Sequence, residues 1–459
     1  MTAQPEDGAP RRVWLGTSLI GGALVALAIG LVAGCGAVAF RWLVFGFTWA
    51  ATGHRTFGQQ GRVGSAHLSF LGPWFFLVIP IAGGVLYGPL IYRFAREARG
   101  HGVPEVMLAV TEEGGRIRPQ VSLIKALSSA LCIATGGSVG REGPIVQIGA
   151  SLASSLGQFV GAPSRRLRIL VACGAAGGIA ATFNAPLTGV LFGLEIILRE
   201  FSVDAAALIV VSATTSTLVG RVFFGSAPFL SGIPHHLSMS SDWQYVLVLA
   251  LGALAGFVGV GFKDALYRVE DACDALWGSR PEWLRPTVGG IALGLVLLVA
   301  PETYGVGYPV MNEVLGGDKV LWIVAGLALA KIVATSLTMG IGGSGGIFAP
   351  SLFIGAMSGE AFGLVARHVF GASAGAAAFY GVIAMGAVFA GGTQAPIVAV
   401  ASVLEMTGQF GLALPVMAAI AVATIVSRRL TYGTIYTTKL LRRGIDIDAL
   451  SGESATQSE

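Results

Sequence analysis

Gly136-Gly137-Ser138-Val139-Gly140-Arg141-Glu142-Gly143-Pro144 and Gly342-Gly343-Ser344-Gly345-Gly346-Ile347-Phe348-Ala349-Pro350 share one pattern, Gly-Gly-Ser-x-Gly-x-x-x-Pro, at an offset of 206 residues (136 to 342). A second match follows each copy. Asn184-Ala185-Pro186, with Glu195 nine residues past the proline, recurs as Gln394-Ala395-Pro396 with Glu405, at an offset of 210 (184 to 394). Two matches in the same order at nearly the same spacing mean a duplicated chain. The halves are read as 13–225 and 244–440, joined by 226–243, with a tail 1–12 before them and a short polar tail 441–459 after. Gly-rich helix packing alone explains scattered glycines but not a duplicated nine-residue pattern.

Composition sets the medium. Of 459 residues, 54% are hydrophobic and only 12% charged, where soluble domains carry about 25% charged residues. Half the usual charge does not cover a water-facing surface, so the chain reads as a membrane protein. The net charge of +4 is too weak to suggest a nucleic-acid partner. The basic residues Arg11-Arg12 and Lys439, Arg442 and Arg443 flank the apolar body, which places both ends in the cytoplasm by the positive-inside rule. Cys35, Cys132, Cys173 and Cys273 form no CxxC pair and read as structural. The run ending Val32-Ala33-Gly34-Cys35 imitates a lipoprotein signal, but apolar sequence continues past it. His235-His236 reads as a chance surface pair.

Apolar runs cover about 15–50, 74–94, 165–198, 205–224, 244–262, 286–300, 318–340, 376–407 and 411–427, several of them beyond the ~20 residues a span needs. The stretches 121–135, 143–160 and 347–367 are short or cut by Gly and Pro and are expected to stop inside the membrane. Interrupted hydrophobic segments at matching places in two halves point to a transport site at the repeat interface. The expected class is an all-α polytopic membrane protein of two antiparallel repeats, built of tilted and broken helices.

A Gly-rich loop running into a helix start leaves backbone N–H groups unpaired at the positive end of the helix dipole, a setting for an anion. Two such loops replace a halide's water shell without a fixed cation that would hold it too tightly for turnover. A phosphate loop is excluded because GxxxxGK[ST] is absent. Glu142 stands inside the first loop. A carboxylate in a membrane is costly and marks function: it competes with the anion for its site, and protonation releases it. The plainer account is a helix-capping Glu. Glu105, Glu195 and Glu405 read as capping or pairing groups, with Lys125 and Lys331 as their partners.

These residues resemble the CLC chloride channel and transporter family, along essentially the whole chain. Gly140-Arg141-Glu142-Gly143-Pro144 is similar to the family's GREGP motif, Gly346-Ile347-Phe348-Ala349-Pro350 to GxFxP, and Gly100-His101-Gly102-Val103-Pro104 to GSGIP. Phe183-Asn184-Ala185-Pro186 and Ala395-Pro396 through Glu405-Met406-Thr407 also match. The resemblance implies a homodimer with one pore per subunit, in a prokaryotic inner membrane and without C-terminal CBS domains. It implies Glu142 as the gate, the Ile347 and Phe348 amides and the Tyr436 hydroxyl as ligands of a central anion, and His101, Gly140, Arg141, Gly143 and Gly346 around it. Chloride is the expected cargo, surrounding lipid the expected medium, and no cofactor or metal is implied.

Two departures stand out. His101 replaces the family's usual Ser, a position that varies with anion preference among relatives. It either donates a ring N–H or turns away, which leaves chloride, nitrate and fluoride open. Ile196 stands where proton-coupled members carry an internal-facing Glu, and Ile cannot relay a proton. The expectation is therefore an uncoupled chloride channel, with a proton/chloride antiporter as the alternative. A membrane enzyme is the remote third reading. It needs a polar catalytic cluster, and no His/Asp/Ser or metal-spaced set is visible in the sequence.

Overall fold

The computed structural model describes residues 19–57, 64–234, 237–239, 241–317 and 320–449. Arg11-Arg12, the tail 1–12, His235-His236 and residues 450–459 lie outside these. Nine helical stretches among the described residues are long and apolar enough to cross a membrane. The chain is a multi-pass membrane protein.

Eight helices repeat in order. The first set is α1 (Leu19–Thr52), α2 (Phe75–Phe94), α3 (Val103–Thr111), α4 (Gln120–Ala134), α5 (Glu142–Phe159), α6 (Ser164–Phe183), α7 (Pro186–Leu191, continued as a π-helix over Phe192–Leu198) and α8 (Val203–Phe224). The second is α9 (Gln244–Trp277), α10 (Arg285–Val299), α11 (Tyr308–Leu315), α12 (Leu321–Gly340), α13 (Phe348–Phe370), α14 (Ala377–Thr393), α15 (Pro396–Thr407) and α16 (Ala413–Leu430), followed by the short α17 (Thr438–Leu441). α5 packs on α6 and α6 on α8, as α13 packs on α14 and α14 on α16. Small residues bring these helices together. A Cβ at Gly149 of α5 would lie 2.2 Å from the Gly174 carbonyl of α6, so the backbones touch, as in membrane helix pairs generally.

The breaks follow proline. The apolar runs 165–198 and 376–407 are each split rather than continuous. Asn184 and Gln394 adopt the left-handed conformation (φ 53° and 54°), and Ala185 and Ala395, forced out of the α region by the prolines that follow, precede new helices at Pro186 and Pro396. The stretch 347–367 departs from expectation in the other direction. With its extension through Ala374 it is long and apolar enough to cross. Its small and polar residues are tolerated because the helix is packed within the protein, where they meet neighbours rather than lipid. Cys35 lies within α1, not at a cleavage site, and Cys132 and Cys173 are buried thiols. The final tail is not merely polar. Ile447 is buried in the core, Asp448 pairs with Arg199, and the Tyr432 hydroxyl donates to Asp446 Oδ2 over 2.9 Å.

Candidate functional site

Four helices begin beside one another at interrupted loops: α3 at Val103, α5 at Glu142, α11 at Tyr308 and α13 at Phe348. Each carries Pro in its first turn, where the missing N–H costs nothing. The loops before them are stitched together. Gly140 and Gly346 exchange N–H···O bonds of 2.7 and 2.6 Å, joining the two duplicated loops directly. The Gly100 amide donates to the Gly343 carbonyl (2.9 Å) and Gly345 donates back to Gly100 (3.3 Å). Ser344 Oγ donates to the Ala98 carbonyl (2.6 Å), and its counterpart Ser138 Oγ donates to the Thr303 carbonyl (2.7 Å).

The lysines hold the same framework. Lys125 Nζ donates to the Ala98 and Gly100 carbonyls at 2.9 and 2.7 Å; Lys331 Nζ donates to those of Thr303 and Gly305 at 3.3 and 2.8 Å. The expectation that these lysines pair with Glu105, Glu195 or Glu405 is corrected. Buried carbonyls of the broken loops need donors, and a long side chain from the neighbouring helix supplies them. The glutamates find other partners. Glu195 accepts from the Ile397 and Val398 amides (3.2 and 2.7 Å) at the start of α15. Glu405 accepts from Leu187 and Thr188 (3.0 and 2.6 Å) at the start of α7, and from the Thr188 hydroxyl (2.7 Å). Each half's carboxylate caps the other half's helix. Glu105 holds Arg443 through two bonds of 3.2 and 2.8 Å, with Lys439 Nζ at 3.6 Å.

Glu142 is 1% exposed. Its Oε1 accepts from the Tyr308 hydroxyl at 2.5 Å. Its Oε2 lies at the loop crossing, where an added Cβ would meet it at 1.8 Å from Gly140 and at 3.0 Å from Gly346. The carboxylate thus occupies the ground between the two duplicated loops. Gly143 is obligatory for close approach, because a Cβ there would sit 1.9 Å from the His101 carbonyl. Ile347 and Phe348 open α13 and are 1% exposed, so their amide hydrogens have no helical carbonyl behind them. The Phe348 ring packs on Phe183 and Phe389, with centroids at 5.9 and 4.7 Å.

Tyr436 is held by its neighbours. Ile435 donates to the Gly392 carbonyl and accepts from the Tyr267 hydroxyl, both at 2.8 Å. The Tyr436 ring stands 6.0 Å from that of His101, whose buried Nδ1 has no hydrogen-bond partner. Tyr436 and Ile196 line one cavity of about 400 Å³, with Arg199, Arg428 and Asp448 among the other walls. Ile196 sits in the π-helical segment, 4% exposed. A separate cavity of about 210 Å³ lies against Arg141 and Tyr308. Glu142 lines neither.

The voltage gated chloride channel family profile matches residues 83–428. The chain belongs to that family. A ClcB-like protein of Ralstonia nicotianae is 31% identical over 423 residues, covering 91% of this chain and 96% of that one. The voltage-gated ClC-type chloride channel ClcB of Citrobacter koseri is 30% identical over 416 residues, covering 90% and 97%. Among solved structures, a slow cyanobacterial Cl-/H+ antiporter matches with TM-score 0.79 and 25% identity, over 92% of this chain and 97% of that one. A eukaryotic CLC transporter matches with TM-score 0.75 and 22% identity, over 93% and 74%. CLC proteins are anion channels and transporters, and this chain has their fold.

Tyr308, whose hydroxyl donates to Glu142, is the residue of this candidate site that the sequence reading missed. A signal was present. Gly305-Val306-Gly307-Tyr308-Pro309 repeats the Gly-x-Gly-x-Pro of Gly100–Pro104 at an offset of 205 (100 to 305), and Lys331 repeats Lys125 at 206 (125 to 331).

Proposed function

We propose that this CLC protein exchanges a small inorganic anion, chloride first, for protons, with Glu142 as both gate and proton carrier. One observation carries the reading: the Glu142 carboxylate fills the crossing of the two duplicated loops and is held there by Tyr308. An ionised carboxylate and a halide compete for the same N–H groups, so each displaces the other. The Ile347 and Phe348 amides and the Tyr436 hydroxyl then hold the central anion beside His101, within reach of Gly140, Arg141, Gly143 and Gly346. The solved antiporter relative supports exchange over the uncoupled channel. We further propose a homodimer with one pore per subunit, in a prokaryotic inner membrane with both termini in the cytoplasm.

A second reading, uncoupled conduction, is favoured by Ile196. It puts an apolar side chain in the Tyr436 cavity where a proton acid is expected, and Glu195 next to it is committed to capping α15. Purified protein in liposomes under a chloride gradient separates the two. Exchange predicts proton movement opposite to chloride and a reversal potential that shifts with pH. Chloride flux with no proton movement would establish the channel instead.

A further inference from the structure

The cavity against Tyr308 carries a charge arrangement of its own. Its walls include Arg41 from α1, Arg55 and Arg141, and among the described residues no acidic one. Arg141 is 7% exposed, and its guanidinium carbon lies 4.8 Å from the Phe229 ring centroid, 5.5 Å from Tyr308 and 5.7 Å from Phe183. Arg41 lies 3.9 Å over the ring of Phe224. The Nε atoms of both arginines are buried and have no hydrogen-bond partner. Among the described residues no carboxylate pairs with either. The adjacent acid, Glu142, gives its Oε1 to Tyr308.

Ring faces offset part of a cation's field but offer no acceptor in the guanidinium plane. Two guanidiniums against aromatic rings, each with its Nε donor unused and with no carboxylate among the described walls of the cavity, suit an anion. A volume of about 210 Å³ admits a halide or nitrate with water around it. We infer that this cavity is a second anion site, a holding station beside the gate for one small inorganic anion, built by Arg141 of the loop motif and by Arg41, which lies outside every motif of the chain. The inference rests on the anion-transport reading above. An anion waiting there raises the local concentration next to the ground that Glu142 vacates.

The test uses crystals of the full chain soaked in bromide, read by anomalous scattering. The expected result is one peak between Arg41 and Arg141 and a separate peak near Ile347, Phe348 and Tyr436. Arg41→Gln should lose the first and keep the second, which also reports an intact fold; Arg41→Lys should keep both. A central peak without the arginine peak in the unaltered protein overturns this inference and leaves the transport reading standing. Absence of both peaks counts against both. In liposomes, Arg41→Gln should slow the initial chloride flux at low ionic strength by roughly tenfold. The gap should close as sodium gluconate shortens the screening length toward ~8 Å. Equal rates at every ionic strength also overturn the inference.

Discussion

The Tyr308 hydroxyl of the second half donates to the Glu142 carboxylate of the first at 2.5 Å. Phe183 and Phe229 pack against the Tyr308 ring with centroids at 6.3 and 4.7 Å, so the phenol cannot swing without moving two aromatic neighbours. The proposed gate, Glu142, is therefore held by a rigid donor. Tyr308→Phe leaves Oε1 buried without a partner, a cost of about 1–3 kcal/mol to the closed position. Chloride flux at neutral pH should rise several-fold. Flux equal to that of the unaltered protein would mean that the bond does not hold the gate.

In the proposed mechanism, Glu142→Gln removes the charge that competes with the anion. Flux should stay on across the pH range, and proton movement should stop. A mutant that keeps the original pH profile would remove Glu142 from the gating role.

His101→Ser replaces an aromatic ring beside Tyr436, whose Nδ1 has no partner, with a small hydroxyl. The permeability ratios among chloride, nitrate and fluoride should change, measured from reversal potentials in bilayers. Identical ratios would show that the His101 side chain does not touch the anion.

Glu405→Gln and Glu195→Gln each weaken a cap at the other half's helix. Bonds to a charged acceptor contribute about 1.5–3 kcal/mol each, against about 1 kcal/mol for neutral ones. Glu405 accepts three and Glu195 two, so the Glu405 variant should lose more thermal stability in detergent. The reverse order would point to strain or lipid contact instead of capping.

Glu105 lies in α3, which is too short to span. Burial pushes its carboxyl upward, but the Lys439 ammonium and the Arg443 guanidinium outweigh that and hold it below the ordinary carboxylate range. A depressed carboxyl adds stability that is present above the unfolded value, near 4.3, and is lost as pH falls through the folded one. Thermal stability should therefore drop on acidification below the ordinary carboxylate range, and the drop should shrink in Arg443→Gln. An unchanged acid limb would assign the loss to other groups.

Much of the architecture was legible in two repeated motifs. The duplicated loops at 136–144 and 342–350 pointed to the two-repeat helical class and to the candidate site, and the paired Pro186 and Pro396 gave a second register. What stayed hidden was hidden for physical reasons. Hydropathy does not register a left-handed residue, so the breaks at Asn184 and Gln394 vanished inside long apolar runs. Lys125 and Lys331 drew an expectation of carboxylate partners because side chains are visible in a sequence and orphaned carbonyls are not. Tyr308 escaped because its repeat keeps only the glycines and proline; the position that carries the phenol is Val103 in the other copy.

The crossed caps of Glu195 and Glu405 bear on how the protein is made. While the ribosome has delivered only the first half, the start of α7 has no carboxylate to receive its amides, and Glu195 has no α15 to close. Neither half finishes alone. Membrane insertion of the early helices must leave this seam open until residue 405 has emerged, so a truncation just short of that point should be recognised by quality-control proteases as unfinished, although it contains the whole Glu142 loop.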